Sequence, residues 1–236
     1  MKALRTDHLV IANQGHRVAG PLDVSFSTGR LSCLTGANGV GKSTFLRTIS
    51  GYQQPLSGEV WLDRTPLRSL TVSQRALTLA VVLTGRPDAG LLKVSEMVAL
   101  GRSPYTDFWG NLRTEDKAIV SDVMDRMGIA SLANRSIRTL SDGEMQKTMI
   151  AKALAQQTPV ILLDEPTSFL DFPSKVEMMR LLASIAHEEG KIVILSTHDV
   201  QLAVRFADDI YRFADGLEWV SKDEVSKDIN HLLRQQ

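Results

Sequence analysis

The sequence predicts an α/β fold with a run of helices inserted into it, and three observations predict it. Gly36-Ala37-Asn38-Gly39-Val40-Gly41-Lys42-Ser43-Thr44 fits the pattern G-x-x-x-x-G-K-[ST], between a short apolar strand at 31–35 and residues at helical spacing, Phe45, Leu46 and Ile49. Apolar runs at 77–83, 160–163 and 191–195 read as strands, the first continuous enough to be buried on both faces, as in a parallel sheet. Between Arg86 and Ala155 the apolar period becomes helical, which marks an inserted helical lobe at about residues 86–155.

In chain order, Leu9-Val10-Ile11 and Leu22-Asp23-Val24-Ser25-Phe26 read as antiparallel strands ahead of the loop strand. Gly58-Glu59-Val60-Trp61-Leu62 is another, after a Pro/Ser/Gly turn at 55–58. The run at 77–83 is bounded by Gly85 and Pro87. Ser95 starts a helix carrying Met97, Val98 and Leu100. Thr114-Glu115-Asp116 reads as a cap with an acidic first turn, then Ile119, Val120, Val123, Met124 and Met127 follow at helical spacing and Gly128 supplies the stop. These methionines read as core. Ser141 and Glu144 form an S-x-x-E capping box ahead of Met145, Met149, Ile150 and Ala153. Residues 173–186 form a helix with Val176, Met179, Leu182 and Ile185 inward, and 200–207 a shorter one. Strands at 210–213 and 217–220 flank Asp215-Gly216, a hairpin signal, and Val225, Ile229, Leu232 and Leu233 suggest a closing helix. With no internal repeat or low-complexity linker, the chain reads as one unit over 1–236.

Composition narrows the function. Lys+Arg and Asp+Glu are both 27, so the balance is neutral, against a strongly basic nucleic-acid binder. The single cysteine, Cys33, lies in the strand before the phosphate loop and allows neither a disulfide nor a metal cluster. No apolar run reaches the length of about 18 residues that a membrane span needs, and residues 1–11 carry charges where a signal peptide has its apolar core, so the expectation is a cytoplasmic protein.

The loop sets the chemistry. Gly36, Gly39 and Gly41 let the backbone, with Asn38 among it, wrap phosphate oxygens with its N–H groups turned inward, and the helix N-terminus adds positive potential. Lys42 reaches the outer phosphates, the Ser43 hydroxyl is placed for Mg²⁺, and Thr44 stands beside it. Asp164-Glu165 closes the strand 160–163, a setting that aims Asp164 at that metal and leaves Glu165 to polarise an attacking water. Standing alone, the pair would read as a solvated acidic turn; the phosphate loop upstream changes that. Ser141 has two compatible readings: a helix start, and an anion site for the γ-phosphate of a nucleotide held by another subunit. His198, in Ser196-Thr197-His198-Asp199, follows a strand end and so faces the crevice where α/β sheets bind ligands.

Five segments, GANGVGKST (36–44), LSDGE (140–144), VILLDEP (160–166), SFLD (168–171) and STHD (196–199), resemble in order and spacing those of the ATP-binding subunit of ABC transporters, over nearly the whole chain. The resemblance implies a P-loop ABC ATPase core with an antiparallel β subdomain and an inserted helical subdomain. It implies ATP and Mg²⁺ as cofactors, with Lys42 and Ser43 on phosphate and metal, Asp164 serving Mg²⁺, Glu165 as catalytic base, and His198 as γ-phosphate switch. Ser141 and Gly143 would close over ATP from the opposite subunit, and Asp171 would communicate across a head-to-tail homodimer. Ala99-Leu100-Gly101-Arg102-Ser103-Pro104-Tyr105 resembles a segment of importers for iron–siderophore, haem and vitamin B12. The expected partner is a transmembrane permease, met at the cytoplasmic face of the membrane, and nucleic acid is not expected. Tyr105, Phe108 and Trp109 are either lobe packing or an aromatic patch that docks the permease. An exporter subunit, an ABC ATPase acting on nucleic acid or ribosomes, and a non-enzymatic ATP-gated scaffold are the alternatives.

Three departures from the family's pattern stand out. Thr84 occupies the place of a glutamine that contacts Mg²⁺ and water. The N-terminal adenine-stacking aromatic is missing, which leaves Asn13 or His16 to meet the base. Asp142 and Glu144 replace the commoner Gly and Gln, and an acid beside a γ-phosphate is repelled, so Asp142 should point away.

Overall fold

The computed structural model describes residues 3–85, 90–214 and 216–233, with side chains described up to residue 228. Arg86 and Pro87, Asp215 of the hairpin turn, and the side chains of Ile229, Leu232 and Leu233 lie outside the described residues.

Two sheets carry the chain. β1 (Ala3–Asn13), β2 (His16–Leu22), β3 (Ser25–Ser27), β5 (Ser57–Leu62) and β6 (Thr65–Pro66) form an antiparallel sheet in the order β2-β1-β5-β6, with β3 also paired to β1. β4 (Arg30–Thr35), β7 (Leu79–Val82), β8 (Val160–Asp164), β9 (Ile192–Ser196), β10 (Asp209–Phe213) and β11 (Leu217–Val220) form the second, in the order β11-β10-β4-β9-β8-β7. All its pairings are parallel except β10–β11, the hairpin. The order matters for function: β9 lies between β4 and β8, so the C-terminal ends of all three strands open side by side.

Side-chain alternation divides the core at this sheet. Leu31, Cys33, Ala80, Val82, Ile161, Leu163, Val193 and Leu195 pack on one face with the helices, while Leu34, Leu79, Val160, Leu162, Ile192 and Ile194 pack on the other with Phe45, Leu46, Ile49 and the antiparallel sheet. Helix α1 (Lys42–Ile49) therefore sits between the two sheets.

Helix α2 (Val72–Ala76) is followed by α3 (Val94–Ala99), α4 (Thr114–Arg126), α5 (Asp142–Ala155), α6 (Phe172–Glu188), α7 (Val200–Phe206) and α8 (Lys222–Leu233). Met97, Met124, Met127 and Met145 are buried in the core shared by α3, α4 and α5, the place expected of them. Arg102 ties these helices together. Its guanidinium donates to Asp116 (2.8 Å), the Ala155 carbonyl (2.8 Å) and Gln157 (2.9 Å), and lies 3.9 Å from the Tyr105 ring centroid. Gln156 carries the link onward, donating to the carbonyls of Ala76 at the end of α2 and Leu79 at the start of β7.

Several expectations are corrected. The strand at 77–83 is shorter because Thr71 and Gln74 form a capping box that starts α2, and Leu77, 43% exposed, closes that helix. Thr114 is not a cap: Arg113 holds the N-cap position, where its N–H donates to Asp116 at 2.9 Å. The helix placed at Ser95 starts at Val94, after Lys93. The first strand runs back to Ala3, and the second spans His16–Leu22, with β3 separate.

Candidate nucleotide site at the strand ends

The phosphate loop leaves the end of β4 and enters α1 at Gly41, whose N-cap position has no side-chain cap, so the first N–H groups of the helix are left to a ligand. Two glycines are fixed by their neighbours. Gly36 has φ +143°, and a Cβ there would stand 2.4 Å from the Phe213 carbonyl oxygen at the end of β10. At Gly41, φ +120°, a Cβ would meet Val18 at 2.6 Å and the Phe213 ring at 3.1 Å. The β1–β2 hairpin thus abuts the loop through Val18, and its tip pairs Asn13 with His16, both exposed. Lys42 crosses the loop and donates from Nζ to the carbonyls of Gly36 (2.7 Å) and Ala37 (2.8 Å). Burial pulls its pKa below the ordinary lysine value, and the nearby Glu165 and Asp164 charges oppose that shift.

Asp164 ends β8 and is buried. Its Oδ1 accepts from Ser43 Oγ (3.0 Å) and Ser196 Oγ (2.7 Å), and its Oδ2 from Thr84 Oγ1 (3.0 Å). One carboxylate thus gathers hydroxyls from the phosphate loop, the end of β7 and the end of β9. These oxygens are hard donors of the kind Mg²⁺ prefers, so Ser43 and Asp164 fit that ion, with Thr84 alongside. Glu165 follows with φ +48°, the left-handed region, which costs a non-glycine residue on the order of 1–3 kcal/mol and is kept where surroundings enforce it. Its N–H donates to Ser196 Oγ (2.9 Å), and its carbonyl accepts from Ser168. His198 Nδ1 stands 3.4 Å from Glu165 Oε2.

Lys42, Ser43, Thr84, Asp164, Glu165 and His198 therefore converge, as the motifs imply. Ser196 is the residue that motif reading passed over, although it opens STHD; a serine at a strand's last position carries no signal until the strand order is known. Ser141, Gly143 and Asp171 form a second group. Ser141 Oγ accepts from the Glu144 N–H (3.2 Å), and Glu144 returns a carboxylate oxygen to the Ser141 N–H (2.8 Å) while pairing with Arg135 (3.1 Å). The Glu144 carboxylate is thereby committed to the cap, with its pKa held low first by the Ser141 N–H. The exposed Ser141 hydroxyl also lies within reach of the Glu144 carboxylate and adds to that lowering. Gly143 approaches the Phe169 carbonyl and Leu170, where a Cβ would stand 3.2 and 3.3 Å away. Asp171 caps α6, accepting from the Ser174 N–H at 3.0 Å. Tyr105 turns inward, donating to the Gln156 carbonyl, whereas Phe108 and Trp109 are 94% and 83% exposed.

A phosphate loop, a strand ending in two acids and a histidine after the neighbouring strand define a P-loop nucleotide-hydrolysing fold. Comparison with known proteins narrows this. Residues 20–168 match the ABC transporter family model. An uncharacterized ABC transporter ATP-binding protein of Methanocaldococcus jannaschii is 39% identical over 205 residues, 87% of this chain and 71% of that protein. The ferric enterobactin transport ATP-binding protein of Escherichia coli is 34% identical over 213 residues, 90% of this chain and 79% of its own. A cobalamin import ATP-binding protein of Halobacterium salinarum is 34% identical over 86% of this chain and 50% of its own. Among solved structures, a dimeric bacterial ABC transporter cassette superposes with TM-score 0.80 at 27% identity, covering 91% of this chain and 96% of that one. The chain belongs to the ABC transporter family and is an ATP-binding ATPase of that family. Among the described residues, no helix is long and apolar enough to cross a membrane.

Proposed function

We propose that residues 1–236 form one nucleotide-binding cassette, with its helical lobe at about 86–155, that hydrolyses ATP to drive an importer for metal chelates of the iron–siderophore, haem or cobalamin kind. The observation that carries the reading is the convergence of Lys42, Ser43, Asp164, Glu165 and His198 at three adjacent strand ends. The relatives named for ferric enterobactin and cobalamin support the cargo class.

In this reading the loop from Gly36 through Asn38, Gly39 and Gly41 to Thr44 cradles the phosphates, and Lys42 moves its ammonium from loop carbonyls to phosphate oxygens. Asn13 or His16, beside the loop, meets the base. Ser43 and Asp164 would hold Mg²⁺, with Thr84 in reach; the ion would neutralise charge developing on the phosphates. The Glu165 carboxylate takes the proton of the attacking water. His198, with Nδ1 toward Glu165, keeps Nε2 for the γ-phosphate. Ser141 and Gly143 close over the ATP of a second copy, head to tail, with Asp171 at that interface; that a similar solved cassette is dimeric supports pairing of two copies. A permease at the cytoplasmic membrane face would receive the movement through the lobe, whose exposed Phe108–Trp109 pair is the candidate docking patch. No nucleic-acid partner is proposed.

The test is a pull-down of tagged Glu165→Gln protein, with ATP, from gently solubilised native membranes. A stoichiometric polytopic permease is expected. A soluble or nucleic-acid partner without a permease would overturn the importer reading and leave ATP hydrolysis standing.

A further inference from the structure

Ser196 is fully buried at the end of β9, between the strands that deliver the phosphate loop and the two acids. Its hydroxyl makes two contacts whose direction is fixed by chemistry. Ser196 has one hydroxyl proton and donates it to Asp164 Oδ1. The same oxygen then accepts the N–H of Glu165. Asp164 thus orients the hydroxyl, and the hydroxyl holds the backbone of the next residue. That backbone is the one at φ +48°, where an unbranched acid does not rest without support. On the far side, the Glu165 carbonyl is held by the Ser168 hydroxyl at 2.9 Å and the Ser168 N–H at 3.2 Å. The peptide groups on both sides of Glu165 are therefore pinned, and its carboxylate is left to reach outward to His198.

We propose that Ser196 is a positioning residue for hydrolysis: through one hydroxyl it converts the fixed place of Asp164 into the fixed aim of the Glu165 carboxylate. The inference rests on Glu165 being the base. It differs from a packing role, because a buried small side chain that only filled space could exchange its hydroxyl for hydrogen at little functional cost. The register favours the polar role. Ser196 pairs with Leu34 on one side and Asp164 on the other, so its side chain sits level with the start of the phosphate loop and with the metal carboxylate.

The experiment compares Ser196→Ala, Ser196→Thr and Glu165→Gln in steady-state phosphate release, with fluorescent-ATP binding in EDTA and thermal midpoints measured alongside. For Ser196→Ala we expect kcat to fall at least tenfold, with KM for ATP and metal-free nucleotide affinity within twofold of the parent. Ser196→Thr, which keeps the hydroxyl, should recover most of kcat. Unchanged kcat in Ser196→Ala, or a threonine variant as slow as the alanine one at equal thermal midpoint, overturns the proposal. Glu165→Gln separates the two layers: if it retains parental turnover, the base reading fails; if it alone is slow, only the positioning role fails. A readout on the unaltered protein guards against variants that do not fold. The Glu165 amide, followed by NMR-resolved hydrogen exchange, should be as protected as the amides within β8, and exchange at the rate of an exposed loop amide would sink the proposal.

Discussion

The strand-end site and the helical lobe solve opposite problems. At the strand ends the functional side chains face others of the same chain: Asp164 accepts three hydroxyls, Lys42 spans its own loop, and Glu165 is gripped on both sides. The lobe turns its chemistry outward. Ser141 caps its helix at an exposed position, and Phe108 and Trp109 stand in solvent. What is buried in the lobe is structural: the Arg102–Asp116 pair joins its helices, and the Gln156 amide fastens them to the sheet. The difference teaches which half can work alone. One copy has the groups to bind a triphosphate. In the proposed reading, the lobe's outward groups would act only when another molecule covers them.

The comparison predicts two separable losses. The larger is at the strand ends. Lys42→Ala should abolish ATP binding in the monomer, weakening it more than about 100-fold, since two hydrogen bonds to a charged ligand at roughly 1.5–3 kcal/mol each are removed. Equilibrium titration with a fluorescent ATP analogue reads this directly; parental affinity would mean that the loop does not hold the outer phosphates. Ser141→Ala should leave that monomer affinity unchanged. It should reduce the ATP-dependent dimer of Glu165→Gln protein, seen by size-exclusion chromatography, by roughly tenfold or more, the value of one hydrogen bond to a charged group. It should also cost the helix cap about 1 kcal/mol in chemical denaturation. A lost cap with an intact dimer would leave Ser141 as a helix start and nothing more.

The same contrast explains what the sequence disclosed. The phosphate loop, the acid pair and the histidine were legible because each chemistry is confined to a few consecutive residues at a strand end. The buried strands were legible from their apolar runs, and the Ser141–Glu144 box from its spacing. What escaped depends on strand order or on competition between neighbours. Ser196 acquires its role only because β9 lies between β4 and β8. Leu77 and Thr78 look like strand by composition, but Thr71 and Gln74 start a helix that runs into them. Thr114 looks like a cap, yet Asp116, three residues after Arg113, takes the Arg113 N–H and moves the start by one residue. Tyr105 looked equivalent to Phe108 and Trp109; its hydroxyl finds the Gln156 carbonyl and its ring meets Arg102, so it turns in while they stay out.

The smallest expected effect concerns acid. Among the described residues of the lobe, three carboxyls are held below their ordinary pKa values: Asp116 first by the Arg113 N–H and then by Arg102, Asp107 first by the Asn111 N–H, and Glu144 first by the Ser141 N–H. Asp171, at the start of α6, shifts the same way through Ser174. A depressed pKa means that the folded state prefers the ionised form, so the stabilisation is complete above the ordinary values of 3.8 for Asp and 4.5 for Glu. It is lost as the pH falls through that range toward the depressed values. Because these groups cap the helices of the lobe and shape the turn that carries Trp109, the lobe should loosen before the antiparallel sheet that carries Trp61. Single-tryptophan versions of the protein separate the two. The anisotropy of Trp109 should fall at a higher pH than that of Trp61 as pH is lowered from neutrality. Coincident transitions would show that the core shared by the lobe and the sheet makes them one cooperative unit, and the contrast between the two regions would then be one of chemistry and not of stability.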